Sequence, residues 1–240
     1  MQPRLPVIRL ALSLLTIVIL SGLNSHAQSS LFNIPTTDVL DKDSTYIEVD
    51  LDAHPSGNAE DRWQSFGAMT IRGVGKRSEV GLNIYATRTS EGFEPLELQP
   101  NFKFNIYQNE ARGFAFSTGA TGYLPLTRRL HRDASVSIYA VASKTFKANW
   151  TPRLTGGGYQ LIGRNPENTD ARGFLVGIEQ PVMKRLTFIA DWNTAKNRFG
   201  YAAAGFGLNI TKRSSLYSAY YLGNSGRGNN SLGIYYGLSF

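Results

Sequence analysis

The stretch Leu232-Gly233-Ile234-Tyr235-Tyr236-Gly237-Leu238-Ser239-Phe240 decides the fold class. Leu232, Ile234, Tyr236, Leu238 and Phe240 make one row, and Ser231, Gly233, Tyr235, Gly237 and Ser239 make the other. A period of two is the signature of a β-strand. One row is large and apolar, and the opposite row is mostly small or polar.

The same alternation recurs upstream. Ile47, Val49, Leu51 and Ala53 alternate with Glu48, Asp50, Asp52 and His54. Val80, Leu82, Ile84 and Ala86 stand against Glu79, Gly81 and Asn83. Leu96, Leu98, Phe102, Phe104 and Ile106 stand against Glu97, Gln99, Asn101, Lys103 and Asn105. Leu186, Phe188, Ala190 and Trp192 oppose Thr187, Ile189, Asp191 and Asn193. Further strands are expected near 63–74, 113–123, 134–143, 153–161, 173–182, 201–211 and 215–222. The faces of 153–161 and 215–222 are not assigned by the pattern. The count is about twelve, with ten as the alternative.

Connections between these segments alternate in length. Gly75–Ser78, Gln108–Glu110, Val182–Arg185 and Thr211–Ser214 are short. Pro55–Arg62, Arg88–Pro95, Leu126–Arg132, Gly163–Ala171, Thr194–Gly200 and Gly223–Asn230 are longer and polar. Lys144–Pro152 is the one stretch that breaks this rhythm. Short turns at one end and long loops at the other are the rhythm of an outer-membrane barrel.

Composition narrows the class. The 240 residues include no cysteine, which removes disulfide scaffolds and thiol chemistry, and the net charge is +7. Aromatic residues make up 12% and are spread along the chain, which excludes a disordered polymer. A helical membrane protein needs several apolar runs of about 20 residues, and only the N-terminus approaches one. That segment reads as a signal peptide over residues 1–27. Arg4 and Arg9 precede the apolar run Leu10–Leu23, and Ser25-His26-Ala27 resembles a cleavage site. A single membrane anchor is the other reading. Residues 28–44 show no strand rhythm and read as a periplasmic lead-in or a segment folded into the lumen. Residues 45–240 form the barrel.

Which face is wet follows from cost. Glu48, Asp50 and Asp52 on one strand are prohibitive in a dry soluble core. The arrangement expected is therefore inverted, with apolar rows toward lipid and polar rows toward the lumen. The C-terminal strand resembles that of bacterial outer-membrane β-barrel proteins. The resemblance implies that Leu232, Ile234, Tyr236, Leu238 and Phe240 are read by the barrel-assembly machinery. The expected fold is a closed antiparallel transmembrane β-barrel in the outer membrane of a Gram-negative-type bacterium.

The charged residues expected on the lumen rows are Glu48, Asp50, Asp52, His54, Arg72, Glu79, Glu97, Lys103, Glu179 and Asp191, with Arg72 at the height of Glu48. An excess of acids attracts cations, as charged rings do in pores. Small residues on the rows at 113–123, 201–211 and 231–239 are expected to leave room for water. The function expected is a porin-like channel for passive diffusion of small solutes, weakly cation-preferring. The alternative is a non-conducting barrel acting through its outer loops. Asp50-Leu51-Asp52-Ala53-His54 is similar in spelling to the paired motifs of barrel proteases, but it lies on one strand. No enzyme, cofactor or metal is expected. Lys76, Arg77, Lys184, Arg185, Lys212 and Arg213 fall in the short turns and form no continuous nucleic-acid stripe. Arg128, Arg129 and Arg132 in an outer loop are candidates for lipopolysaccharide phosphates.

Overall fold

The computed structural model describes residues 29–126, 133–147, 151–163 and 169–240. The expected signal peptide and the loop arginines Arg128, Arg129 and Arg132 lie outside them. The strands are β1 (Thr45–His54), β2 (Trp63–Gly73), β3 (Ser78–Thr89), the two-residue β4 (Gly92–Phe93), β5 (Glu97–Asn109), β6 (Phe114–Pro125), β7 (Ser135–Thr145), β8 (Arg153–Gly163), β9 (Arg172–Met183), β10 (Leu186–Asn193), β11 (Tyr201–Asn209), β12 (Ser214–Gly223) and β13 (Ser231–Ser239). Apart from β4, which only extends the outer end of β3, every strand pairs antiparallel with two neighbours.

The twelve long strands follow one another in space in chain order, and β1 closes the ring against β13 with Val49 opposite Tyr236. At the seam, Thr45 N–H donates to the Phe240 carbonyl (3.1 Å) and Phe240 N–H donates to the Thr45 carbonyl (2.8 Å). Closure leaves no unpaired edge, which is what a sheet in lipid requires. Among the described residues no helix is long and apolar enough to cross a membrane. The strands do so.

The two faces are inverted relative to a soluble protein. Val49, Phe66, Ile138, Phe174, Val176, Phe206 and Leu232 are exposed on the outside, while Glu48, Glu79, Lys103, Asn105, Ser117 and Asp191 are buried inside. An apolar exterior around a charged interior is stable only where hydrocarbon replaces water outside. On β13, Leu232, Ile234, Tyr236 and Leu238 all belong to this outer row. On β8 the outer row is Leu154, Gly156, Gly158, Gln160 and Ile162, and on β12 it is Leu216, Ser218, Tyr220 and Leu222.

Two expectations about the interior are corrected. Arg72 does not face the lumen. It pairs in register with Thr45, whereas Met69 stands opposite Glu48, and its exposed side chain reaches Asp43 at 3.5 Å. The inner row of β2 includes Met69 and Ile71, which pack on Leu40 and Tyr46. Apolar side chains thus stand on the inner row here, so hydropathy gives the wrong phase for this strand.

The glycines on the lumen rows do not leave gaps beside their neighbours either. A Cβ at Gly67 would lie 2.3 Å from the Tyr85 ring, at Gly119 2.3 Å from the Tyr139 hydroxyl and at Gly207 2.6 Å from the Tyr217 ring. Tyr85, Tyr139 and Tyr217 are the registered partners of those glycines. Each ring lies across the gap left by its neighbour's missing side chain, which is the cross-strand unit of sheet packing. Gly119→Ala places a methyl group against Tyr139 and against the Phe102 carbonyl, 2.5 Å away. Overpacking of this kind costs about 1–3 kcal/mol. Urea unfolding of the protein folded in vesicles is expected to show that loss, and an unchanged midpoint would mean that Tyr139 does not occupy the glycine gap.

Candidate functional site

The lumen contains the segment Ser29–Leu40. It forms a tight hairpin in which Ser30 bridges Pro35, Leu31 N–H donates to the Ile34 carbonyl (2.8 Å) and Thr36 N–H to the Ser29 carbonyl (3.1 Å). Leu31, Ile34, Thr36 and Thr37 are each at most 2% exposed. Leu31 and Ile34 pack with Val141, Tyr159, Leu175 and Ile189 from the wall, so the interior has an apolar core of its own. The chain leaves the lumen at Asp43, in the left-handed region with φ 68°, where its N–H donates to the Gly73 carbonyl (2.9 Å). Aspartate tolerates that conformation better than most side chains. Of the two readings of residues 28–44, the described part thus takes the lumen position.

The wall holds this segment at both ends. At the periplasmic level, Lys103 and Glu79 form a buried pair (3.0 Å). Lys103 Nζ donates to the Ser29 carbonyl (2.5 Å) and the Asp38 carbonyl (2.8 Å), and Glu79 accepts from Ser29 Oγ and from Leu40 N–H (2.8 Å). Arg153 donates to both oxygens of Asp38 (2.5 and 2.8 Å) and to Thr37 Oγ1 (2.6 Å), with Glu179 3.7 Å from its Nε. Asn105 Nδ2 (3.0 Å) and Ser117 Oγ (2.6 Å) donate to the Thr37 carbonyl. At the outer level, Asn33 N–H donates to Asp191 (2.8 Å), and Asn33 Nδ2 to the carbonyls of Phe199 (3.0 Å) and Tyr201 (3.2 Å). Asn33 thereby ties the hairpin tip to the loop that turns into the mouth between β10 and β11.

Above this floor stands an acidic wall. β1 aligns Glu48, Asp50, Asp52 and His54 on its inner face. Glu48 accepts from the Tyr46 hydroxyl, Asp50 from Tyr85 (2.7 Å) and Asp52 from Tyr235 (2.5 Å), whose hydroxyl also lies 2.5 Å from that of Tyr221. His54 Nδ1 contacts the Asn230 carbonyl, and its ring stacks on Trp63 with centroids 6.3 Å apart. Across the lumen, Arg198 pairs with Glu97 (2.7 Å) and lies over the rings of Tyr123 (4.9 Å) and Phe199 (4.5 Å).

Between the two walls is a cavity of about 610 Å³ that reaches the outer rim at Trp63, Thr89 and Asn229. A second space of about 260 Å³ opens at the periplasmic end beside Asp38, Glu110 and Arg153. No residue lines both, so the Ser29–Asp38 segment divides the interior. Among the described residues no three His, Asp or Glu side chains stand where they could hold a metal ion.

The sequence placed the acids of β1 in one row, but it missed Arg153, Arg198, Asn33 and the tyrosines that bond the acids. Asp38 shares its strandless segment with Asp41 and Asp43, which are exposed, so the sequence did not mark it as the one that meets a cation in the lumen. The unassigned face of β8 hid Arg153 as its partner.

The chain has the fold of the bacterial outer-membrane β-barrels. An outer membrane channel from Pseudomonas putida F1 matches it with a TM-score of 0.52 at 13% identity, over 85% of this chain and 98% of that one. The outer membrane phospholipase A of Escherichia coli matches with a TM-score of 0.49 at 15% identity, over 82% and 92%. The translocator domain of an autotransporter from Neisseria meningitidis matches with a TM-score of 0.42 at 9% identity, over 85% and 90%. No protein-family model and no curated protein matches the sequence. The expectation that this chain is not an enzyme does not stand, because a fold by itself does not decide function. Being a barrel therefore excludes no catalysis. The inverted faces and this fold place the chain in the bacterial outer membrane.

The floor rests on its ion pairs, and a test follows. Lys103→Met leaves Glu79 buried without its cation, and breaking such a pair costs about 3–5 kcal/mol. Denaturant unfolding is expected to show that loss, with partial recovery in Lys103→Met/Glu79→Leu. A single variant as stable as the parent would show that the pair does not hold the floor.

Proposed function

We propose that this barrel is a gated channel for passive movement of small solutes, with a preference for cations, and that Ser29–Asp43 is its gate. The observation that carries the reading is the cavity of about 610 Å³ that faces outward, bears Glu48, Asp50 and Asp52 on one wall and ends on that segment. Carboxylates in a low-dielectric vestibule raise the local concentration of cations. Hydroxyl partners on Tyr46, Tyr85 and Tyr235 fix them in place. That a channel from another bacterium has this fold supports the assignment to transport.

A freely open porin does not fit a lumen crossed by a hydrogen-bonded segment. The gate has a handle at each end, Arg153–Asp38 below and Asn33 above, so a change at either end alters its position. Release of the segment joins the two cavities.

Planar-bilayer recordings under a salt gradient test this reading. The full chain is expected to be silent or to flicker, and Arg153→Ala/Asn33→Ala to conduct more often. Currents from that variant are expected to reverse on the cation side, and Asp50→Asn/Asp52→Asn added to it to move the reversal potential toward zero. Silence from the released variant, folded and inserted, would instead favour a non-conducting barrel that works through its outer loops.

A further inference from the structure

We propose that the periplasmic rim is a binding collar for anionic phospholipid headgroups, independent of what the lumen does. Three rim turns carry adjacent cations, at Lys76–Arg77, Lys184–Arg185 and Lys212–Arg213. They connect β2 to β3, β9 to β10 and β11 to β12, which lie at separate positions around the ring. The turn from β5 to β6 adds Arg112, and Lys144 stands at the periplasmic end of β7. Glu110 is the one acid in the five turns at this end.

These side chains are laid along the rim rather than turned into the lumen. Arg77 Nη1 donates to the Ile106 carbonyl (3.2 Å), Arg185 Nη1 to the Ile210 carbonyl (3.3 Å) and Lys144 Nζ to the Arg112 carbonyl (2.6 Å). Each bond reaches the end of a neighbouring strand. One bond leaves a guanidinium with further donors in a fork suited to phosphate.

Height and shape select the partner. Lys184 follows the exposed Met183, Lys76 stands two residues after the exposed Val74, and Lys212 two residues after the exposed Ile210. They therefore stand where hydrocarbon gives way to headgroups. Basic side chains at that level are drawn to anionic lipid. A protein partner covers one side of a barrel, whereas this charge surrounds it, and the only ligand that surrounds a barrel at that height is its lipid annulus.

The test measures electron paramagnetic resonance of spin-labelled phosphatidylglycerol and phosphatidylcholine at the surface of the full chain in vesicles. The expected result is a preference for phosphatidylglycerol of about threefold in low salt, reduced by high salt. It is expected to disappear in the variant with all six turn cations changed to Gln, and to fall partly in Lys184→Gln/Arg185→Gln and in Lys76→Gln/Arg77→Gln. The two paired variants decide the matter if the sixfold variant does not fold. No preference in the parent, or a preference unchanged in the folded variants, overturns the proposal. Binding of the parent to isolated cell-wall sacculi without any lipid preference also overturns it, in favour of a wall contact.

Discussion

A backbone amide in hydrocarbon has no water to bond, so every strand of this chain must find two neighbours, and the first strand must find the last. That requirement organises the rest. Thr45 and Phe240 meet because the ring has to close, and once it closes the side chains divide into an outer row for lipid and an inner row for a confined space. In a ring of twelve strands that space is narrow enough to be filled by side chains and a short length of chain.

Filling is done in two ways. Glycine and tyrosine on adjacent strands share volume, as at Gly119 and Tyr139, so the ring takes the place of a side chain the glycine lacks. The segment from Ser29 supplies the remainder, with Leu31 and Ile34 as an apolar centre and polar contacts at both ends. Acids that would be intolerable alone are thereby bonded. Glu79 has Lys103, Asp38 has Arg153, Glu97 has Arg198, and the carboxylates of β1 have tyrosines. The acids of β1 differ from the others in having hydroxyl partners rather than cations.

Arg153 and Arg198 act at opposite ends of the lumen through the same chemistry. Arg153 clamps the segment where it crosses the floor, and Arg198 is held against aromatic rings at the mouth. Asn33 lies between them in the mechanical sense, since it bonds both to Asp191 of the wall and to the carbonyls of Phe199 and Tyr201, where the mouth loop runs into β11. A disturbance at the outer loop thus has a direct bonded route to the segment that closes the interior.

The sequence by itself determined the strand period, a count of about twelve strands, the inverted faces and the row of acids on β1. These are local properties, because alternation is set by the pleat and repeats every two residues. It did not determine what those rows meet. The phase of β2 was misread at Arg72 because the apolar Met69 and Ile71 stand on the inner row, where they pack on Leu40 and Tyr46. The small residues of β6 and β11 suggested an open lumen because the tyrosines that cover them, Tyr139 and Tyr217, sit on neighbouring strands. The partners of Asp38 and Asn33 lie 115 and 158 residues away along the chain. Only closure of the ring brings such residues to one place, and so only the tertiary structure decided that the lumen is plugged, where it is acidic and which side chains hold it shut.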